Sequence, residues 1–204
     1  MHSGRREAAK LAIRAGGPYN PSTLNPNSII DLFEKGSEIM AVPAPIVDKL
    51  NEQISNEFHA AHTYMGMACK FDEMGLKVFS QWFFRQGEEE RDHGKRILKY
   101  LLDTGAEVKL KAIDAPKGDM SSPAAIVETA LRQEETVTQQ IHHLMGLADE
   151  HKDYATRSFL NWFVDEQVEE VATMTELLQL VKMAGSQNLL QLEARVARMM
   201  AEDR

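Results

Sequence analysis

Glu88-Glu89-Glu90-Arg91-Asp92-His93 lies inside a long helical pattern running from about Lys77 to Thr104, and its reading decides the fold. Phe79, Phe83, Ile97 and Leu101 fall on one face of that helix, and Glu90 and His93 occupy the two central positions of the same apolar stripe. A carboxylate and an imidazole are therefore aimed inward. A charged carboxylate left buried and unpaired costs several kcal/mol, so it needs a partner, and a Glu-x-x-His step on a bundle helix suits a metal. Other stretches must then supply the remaining ligands.

Three further helical patterns do so. From Pro45 to about Glu73, Leu50, Ile54, Ala61, Ala68 and Phe71 recur at alternating steps of three and four, with Glu57 and Tyr64 in the same register. Gly75 closes this helix, and the short connection makes the first two helices antiparallel neighbours. After Gly105, residues 105 to 121 show no period and include Pro116-Lys117-Gly118. At roughly 3.3 Å per residue that stretch can cross the full length of a helix, so the third helix can start at the far end of the bundle. Ser122-Pro123 caps it, and its stripe reads Val127, Leu131, Glu134, Thr138, Ile141 and Met145. The fourth, from about Tyr154 to Ala184, carries Leu160, Phe163, Gln167, Glu170, Met174, Leu177 and Val181. Gly185 ends it, and Ser186 caps a short fifth helix with Leu189, Leu190, Leu192, Val196 and Met199. The expected fold is all-α: a four-helix bundle with a long crossover between helices 2 and 3 and a short fifth helix.

Composition sets the outer bounds. Residues 40–204 are long enough for one well-buried domain, and residues 1–39 read as an N-terminal extension, either flexible or docked through Ile29, Ile30 and Phe33. The run Asn20-Pro21-Ser22-Thr23 and its neighbours break any helical period there. That extension has five basic and four acidic groups, which leaves 18 basic against 27 acidic beyond it. An acidic body attracts cations and repels nucleic acid, so nucleic acid is not an expected partner. No apolar run approaches the roughly 20 residues a membrane helix requires, nor is there a secretory signal, which points to a soluble cytoplasmic protein. The lone Cys69, flanked by Met67, Ala68 and Phe71, is expected in the core. His142, His143 and His151 have no ligand-spaced partners and read as surface or interface residues.

Each of the four long helices thus places ligand-type residues near the middle of its apolar face: Glu57, Glu90 with His93, Glu134, and Gln167 with Glu170. Hard oxygen donors with one imidazole suit iron or manganese better than a thiolate-bound zinc. The competing reading is a buried hydrogen-bond network without metal, which would have to hold four acids with at most one cation. Together with Tyr64 seven positions after Glu57, the Glu90-Arg91-Asp92-His93 step, Arg132-Gln133-Glu134-Glu135 and Asn161-Trp162-Phe163-Val164-Asp165-Glu166-Gln167-Val168-Glu169-Glu170, the set resembles the non-haem bacterial ferritins over about residues 46 to 200.

That resemblance implies a di-iron ferroxidase centre. Glu57, Glu90 and His93 would hold one iron, Glu90 would bridge to a second held by Glu134 and Glu170, and Gln167 would lie close by. Tyr64 would stand beside the centre as a hydrogen-bond donor and one-electron donor, and Glu89, Glu166 and Glu169 match an additional iron site. The implied reaction is oxidation of Fe(II) by dioxygen or hydrogen peroxide, with ferric mineral stored in a homo-oligomeric, 24-subunit cage. Asp149, Glu150 and Asp153 are candidates for a cation pore. Bacterioferritins carry a second Glu-x-x-His where this chain has Gln167-Val168-Glu169-Glu170, and Arg91 stands where they offer a haem-ligating methionine, so no haem is expected. Two alternatives stay open: a soluble di-iron oxidase without mineral storage, and a structural or DNA-protecting cage protein.

Overall fold

A computed structural model describes residues 41–185 and 187–202. The extension 1–39 and the Ser186 cap lie outside the described residues. Five helices follow in order: α1 (Ala44–Glu73), α2 (Lys77–Asp103), α3 (Pro123–Glu150), α4 (Tyr154–Ala184) and α5 (Leu189–Glu202). There is no strand among the described residues. None of these helices is long and apolar enough to cross a membrane.

Local chemistry sets the helix ends. Pro45 starts α1, where its missing N–H costs nothing. Gly75, at φ +81°, turns the chain out of α1, and Leu76 N donates back to Phe71 O at 3.0 Å. Ser122 Oγ accepts from Ala125 N at the head of α3, and Asp153 Oδ1 accepts from Thr156 N at the head of α4. Asp149 pairs with Arg157 at 2.7 Å across the α3–α4 turn. Two of the three acids suggested for a cation pore therefore already serve this corner.

α1 packs along α2, α3 along α4, and α1 also meets α3, while α5 seats on α2 and α4. The crossover, expected at residues 105–121, runs between Asp103 and Pro123 and lies against α1. Asn51 clamps it at one end: Nδ2 donates to Glu107 O at 2.9 Å, and Oδ1 accepts from Lys109 N at 2.6 Å. Further along, Pro116 lies over Gly66, where an added Cβ would meet its Cγ at 3.1 Å.

The apolar core falls into two blocks. One gathers Ile46, Leu50 and Ile54 with Ile97, Leu101, Ile141, Leu160 and Phe163. The other gathers Phe71, Phe79, Trp82 and Phe83 with Ile126, Met174, Leu177 and Val196. On every long helix the residues between these blocks are the inward polar ones. Two sequence expectations are corrected here. On α3 the buried line is Val127, Ala130, Glu134, Val137, Ile141, Leu144 and Ala148, with Leu131, Thr138 and Met145 only half-buried. Apolar residues adjoin one another at 130/131 and 144/145, so periodicity alone could not choose between rows that differ by one residue. Cys69 is exposed, because a step of 100° past the buried Ala68 turns it to the outer face of α1.

Replacing Asn51 by Ala removes both crossover bonds at once. The expected cost is about 2 kcal/mol, with faster proteolytic cleavage within residues 105–121. Chemical denaturation and a timed protease digest measure the two effects.

Candidate metal centre

The layer between the two apolar blocks contains Glu57 from α1, Glu90 and His93 from α2, Glu134 from α3, and Gln167 and Glu170 from α4. None is more than 9% exposed. Two glycines of α2 let it approach α1 on either side of Glu90. At Gly87 a Cβ would stand 3.1 Å from Ala61 O, and at Gly94 it would stand 2.7 Å from the Phe58 ring. Glu57, Glu90 and His93 converge as a result, with one ligand atom from each lying within 4.8 Å of the others. His93 Nδ1 is 3.4 Å from Glu90 Oε2.

Hydrogen bonds fix one oxygen each of Glu57, Glu134 and Gln167. Gln53 Nε2 donates to Glu57 Oε1 at 3.0 Å. Tyr64 O–H donates to Glu134 Oε1 across the bundle. Thr138 Oγ1 bonds to Gln167 Oε1 at 2.9 Å, which leaves the Gln167 amide N–H to favour the ionised form of Glu134. Glu57 Oε2, Glu90 Oε2 and Glu134 Oε2 are buried with no hydrogen-bond partner. Buried polar atoms are seldom left so, and three such carboxylate oxygens in one layer fit a divalent cation.

Electrostatics agrees with that fit. Burial pushes the Glu57 and Glu134 carboxyls up to about 7. Burial, followed by the surrounding carboxylates, drives Glu90 and Glu170 well above the ordinary range. Without a cation the layer holds itself together by retaining protons. Burial lowers His93 to about 4, so its imidazole is neutral and has a lone pair to give. Burial and the neighbouring carboxylates push Tyr64 well above its usual range, keeping the phenol a donor.

The side of the bundle between α2 and α4 is open. A cleft of about 430 Å³ reaches His93 and Glu170 from solvent and brings Glu89, Glu166 and Glu169 together along its wall. Arg85 and Gln86 both reach Glu89. Burial and the adjacent Glu169 raise the Glu166 carboxyl. The suggested additional site thus occupies one surface that continues into the centre. His142, His143 and His151 are exposed.

Sequence reasoning missed the supports behind the ligands. Trp162 meets the His93 ring edge-on at 5.4 Å, and the Arg96 guanidinium lies 3.9 Å over the indole. Arg96 follows His93 by one helical turn, a signal open to reading. Gln53, one turn before Glu57, is the other support.

A helical bundle with a buried cluster of carboxylates and one imidazole defines a class of metal-handling protein, and comparison with known proteins narrows it. The family model of the ferritin-like domain matches residues 47–184, and the chain belongs to the ferritin family. The resemblance to non-haem bacterial ferritins is borne out: the chain is 48% identical over 127 residues to the bacterial non-heme ferritin of Staphylococcus saprophyticus, covering 62% of this chain and 76% of that one. It is 42% identical over 148 residues to that of a Staphylococcus aureus strain, covering 72% and 89%. Among solved structures, the open pore ferritin of Archaeoglobus fulgidus superposes with a TM-score of 0.74 at 36% identity, covering 76% of this chain and 98% of that one. Iron storage and the ferritin-like bundle are thereby supported.

The buried acids give a sign to the pH dependence of the metal-free protein. Below the ordinary value of 4.5 both folded and unfolded chains hold the Glu57 and Glu134 protons, whereas between there and about 7 only the folded chain does. That stability is present at acid pH and is lost as pH rises through 7. Each group contributes a slope of up to about 1.4 kcal/mol per pH unit. His93, displaced from 6.5 to about 4, works in the opposite direction over its own window, but it is one group against four. Thermal melts of metal-free protein should fall from about pH 5 to about pH 7, less steeply for Glu134→Gln, and excess Zn(II) should abolish the fall.

Proposed function

We propose that the chain is an iron-storage ferroxidase. The observation that carries this reading is the layer of four buried acids with three partnerless oxygens, set between two apolar blocks and open to an acidic cleft. Fe(II) is the substrate. Glu57, Glu90 and His93 take one ion, while Glu134 and Glu170 take the second, with Glu90 bridging. Gln167 and Tyr64 act on Glu134, the first through its amide and the second by donating its O–H, which aligns that carboxylate. Tyr64 would also supply an electron.

Holding two Fe(II) ions together lets them share one oxidant, so electrons leave as a pair. The apolar blocks above and below exclude water from the exchange. Glu89, Glu166 and Glu169 line the approach and would hold iron on its way to or from the centre. The product is ferric mineral inside a homo-oligomeric cage, for which the family sets the expectation of 24 subunits, in the cytoplasm. The second reading, a soluble di-iron oxidase, requires the same centre but no storage.

Aerobic Fe(II) loading followed by size-exclusion chromatography distinguishes them. Storage predicts tens of iron atoms or more per chain, eluting with a large particle. About two per chain supports the oxidase, and near zero overturns both. Glu90→Ala and His93→Ala should each lower the initial oxidation rate by at least roughly 100-fold.

A further inference from the structure

The face between α1 and α3, opposite the acidic cleft, carries a second opening of about 330 Å³ beneath the crossover. Its floor is formed by Ala60 and Val137, both buried, which lie one turn beyond Glu57 and Glu134 on the same two helices. Gln133, immediately before Glu134, joins them, and its Nε2 is buried with no hydrogen-bond partner. Gln140 lines the opening too, and its Oε1 is buried with no hydrogen-bond partner. The opening therefore lies one helical turn from Glu57 and Glu134, neither of which lines it.

Its lining is close to neutral, unlike that of the first cleft. No carboxylate lines it, and its charged groups are Lys117, bound to Asp114 at 2.7 Å, and Arg132, bound to Glu128 at 3.1 Å. The first cleft is lined by five carboxylates, Glu89, Asp92, Glu166, Glu169 and Glu170, against two guanidinium groups, Arg85 and Arg96. A cation is drawn to the first side and meets no carboxylate in the lining of the second.

We propose that the α1/α3 opening is the inlet for the oxidant, a small uncharged dioxygen or hydrogen peroxide molecule, while Fe(II) arrives through the α2/α4 cleft. The proposal rests on the ferroxidase reading. Two Fe(II) give up one electron each. With dioxygen, the pair and two protons yield one hydrogen peroxide and two Fe(III). With hydrogen peroxide, the O–O bond breaks and the pair with two protons yields two waters and two Fe(III). Separate inlets keep the oxidant from meeting single Fe(II) ions before a pair is assembled. The Gln140 oxygen can accept an O–H from peroxide, and dioxygen has none to give.

The test is stopped-flow Fe(II) oxidation by the assembled protein, varying dioxygen and hydrogen peroxide separately. Thr136→Trp, at an exposed position on the rim, should raise the half-saturating concentration of both oxidants several-fold, with the rate at saturation and anaerobic Co(II) binding unchanged. Gln140→Leu should raise the peroxide requirement several-fold and leave that for dioxygen alone. Thr173→Trp, in the acidic cleft, should raise the Fe(II) requirement and not the oxidant requirement. An unmoved oxidant dependence in Thr136→Trp overturns the inlet, as does a shift produced by Thr173→Trp instead. Should Thr136→Trp fail to fold, an unmoved peroxide dependence in Gln140→Leu overturns it. A parent chain that oxidises no Fe(II) overturns the ferroxidase reading and the inlet with it, whereas an active parent with unmoved variants overturns the inlet alone.

Discussion

Four carboxyl groups are buried at one level of this bundle with no buried Lys or Arg side chain among the described residues. Placing that many anions in a low-dielectric interior is untenable, so the layer must either keep protons or take up cations. Both states use the same oxygen atoms, which is why one oxygen of Glu57, of Glu90 and of Glu134 is left without a partner while the other oxygens of Glu57 and Glu134 are fixed by Gln53 and Tyr64. Protons and a metal ion would compete for those oxygens. Metal uptake by such a site is coupled to proton release and strengthens as pH rises.

The scaffold follows from that constraint. Two apolar blocks close the layer off along the bundle axis, and each long helix contributes to both, so the stability lost in the polar layer is offset on either side. Close approach of α1 and α2 at Gly87 and Gly94 brings three ligands within reach of one ion. Pairing α1 with α2 and α3 with α4 through short turns, and joining the pairs by a long crossover, leaves two opposite faces where helices meet less tightly. Those faces hold the two clefts, and their linings differ in charge.

Much of this was legible in the residues. Helix limits followed from Gly75, Gly105, Ser122-Pro123 and Gly185, and the inward position of Glu57, Glu90, His93, Glu134 and Glu170 followed from their register with large apolar neighbours. On α3 the register was read one residue off in places, because Ala130 and Leu131 are both apolar and only packing against α1 and α4 selects the row. Cys69 was misplaced for a related reason: apolar neighbours in sequence are not neighbours on a helix face. The supports of the centre were the least legible part. Trp162 and Arg96 come from different helices, and nothing in one dimension announces a guanidinium stacked on an indole behind a histidine. Clefts are properties of gaps between helices, so neither could be read from a single stripe.

We propose the buried acids as a site for two divalent cations and not as a hydrogen-bonded core. Anaerobic titration of the assembled protein with Co(II), followed by visible absorption and by proton release into weak buffer, tests it most directly. A two-cation site gives saturation at about two ions per chain with protons released, and loss of the imidazole-linked spectral change in His93→Ala. Saturation near zero, or binding that releases no protons and is untouched in Glu90→Ala, would contradict it.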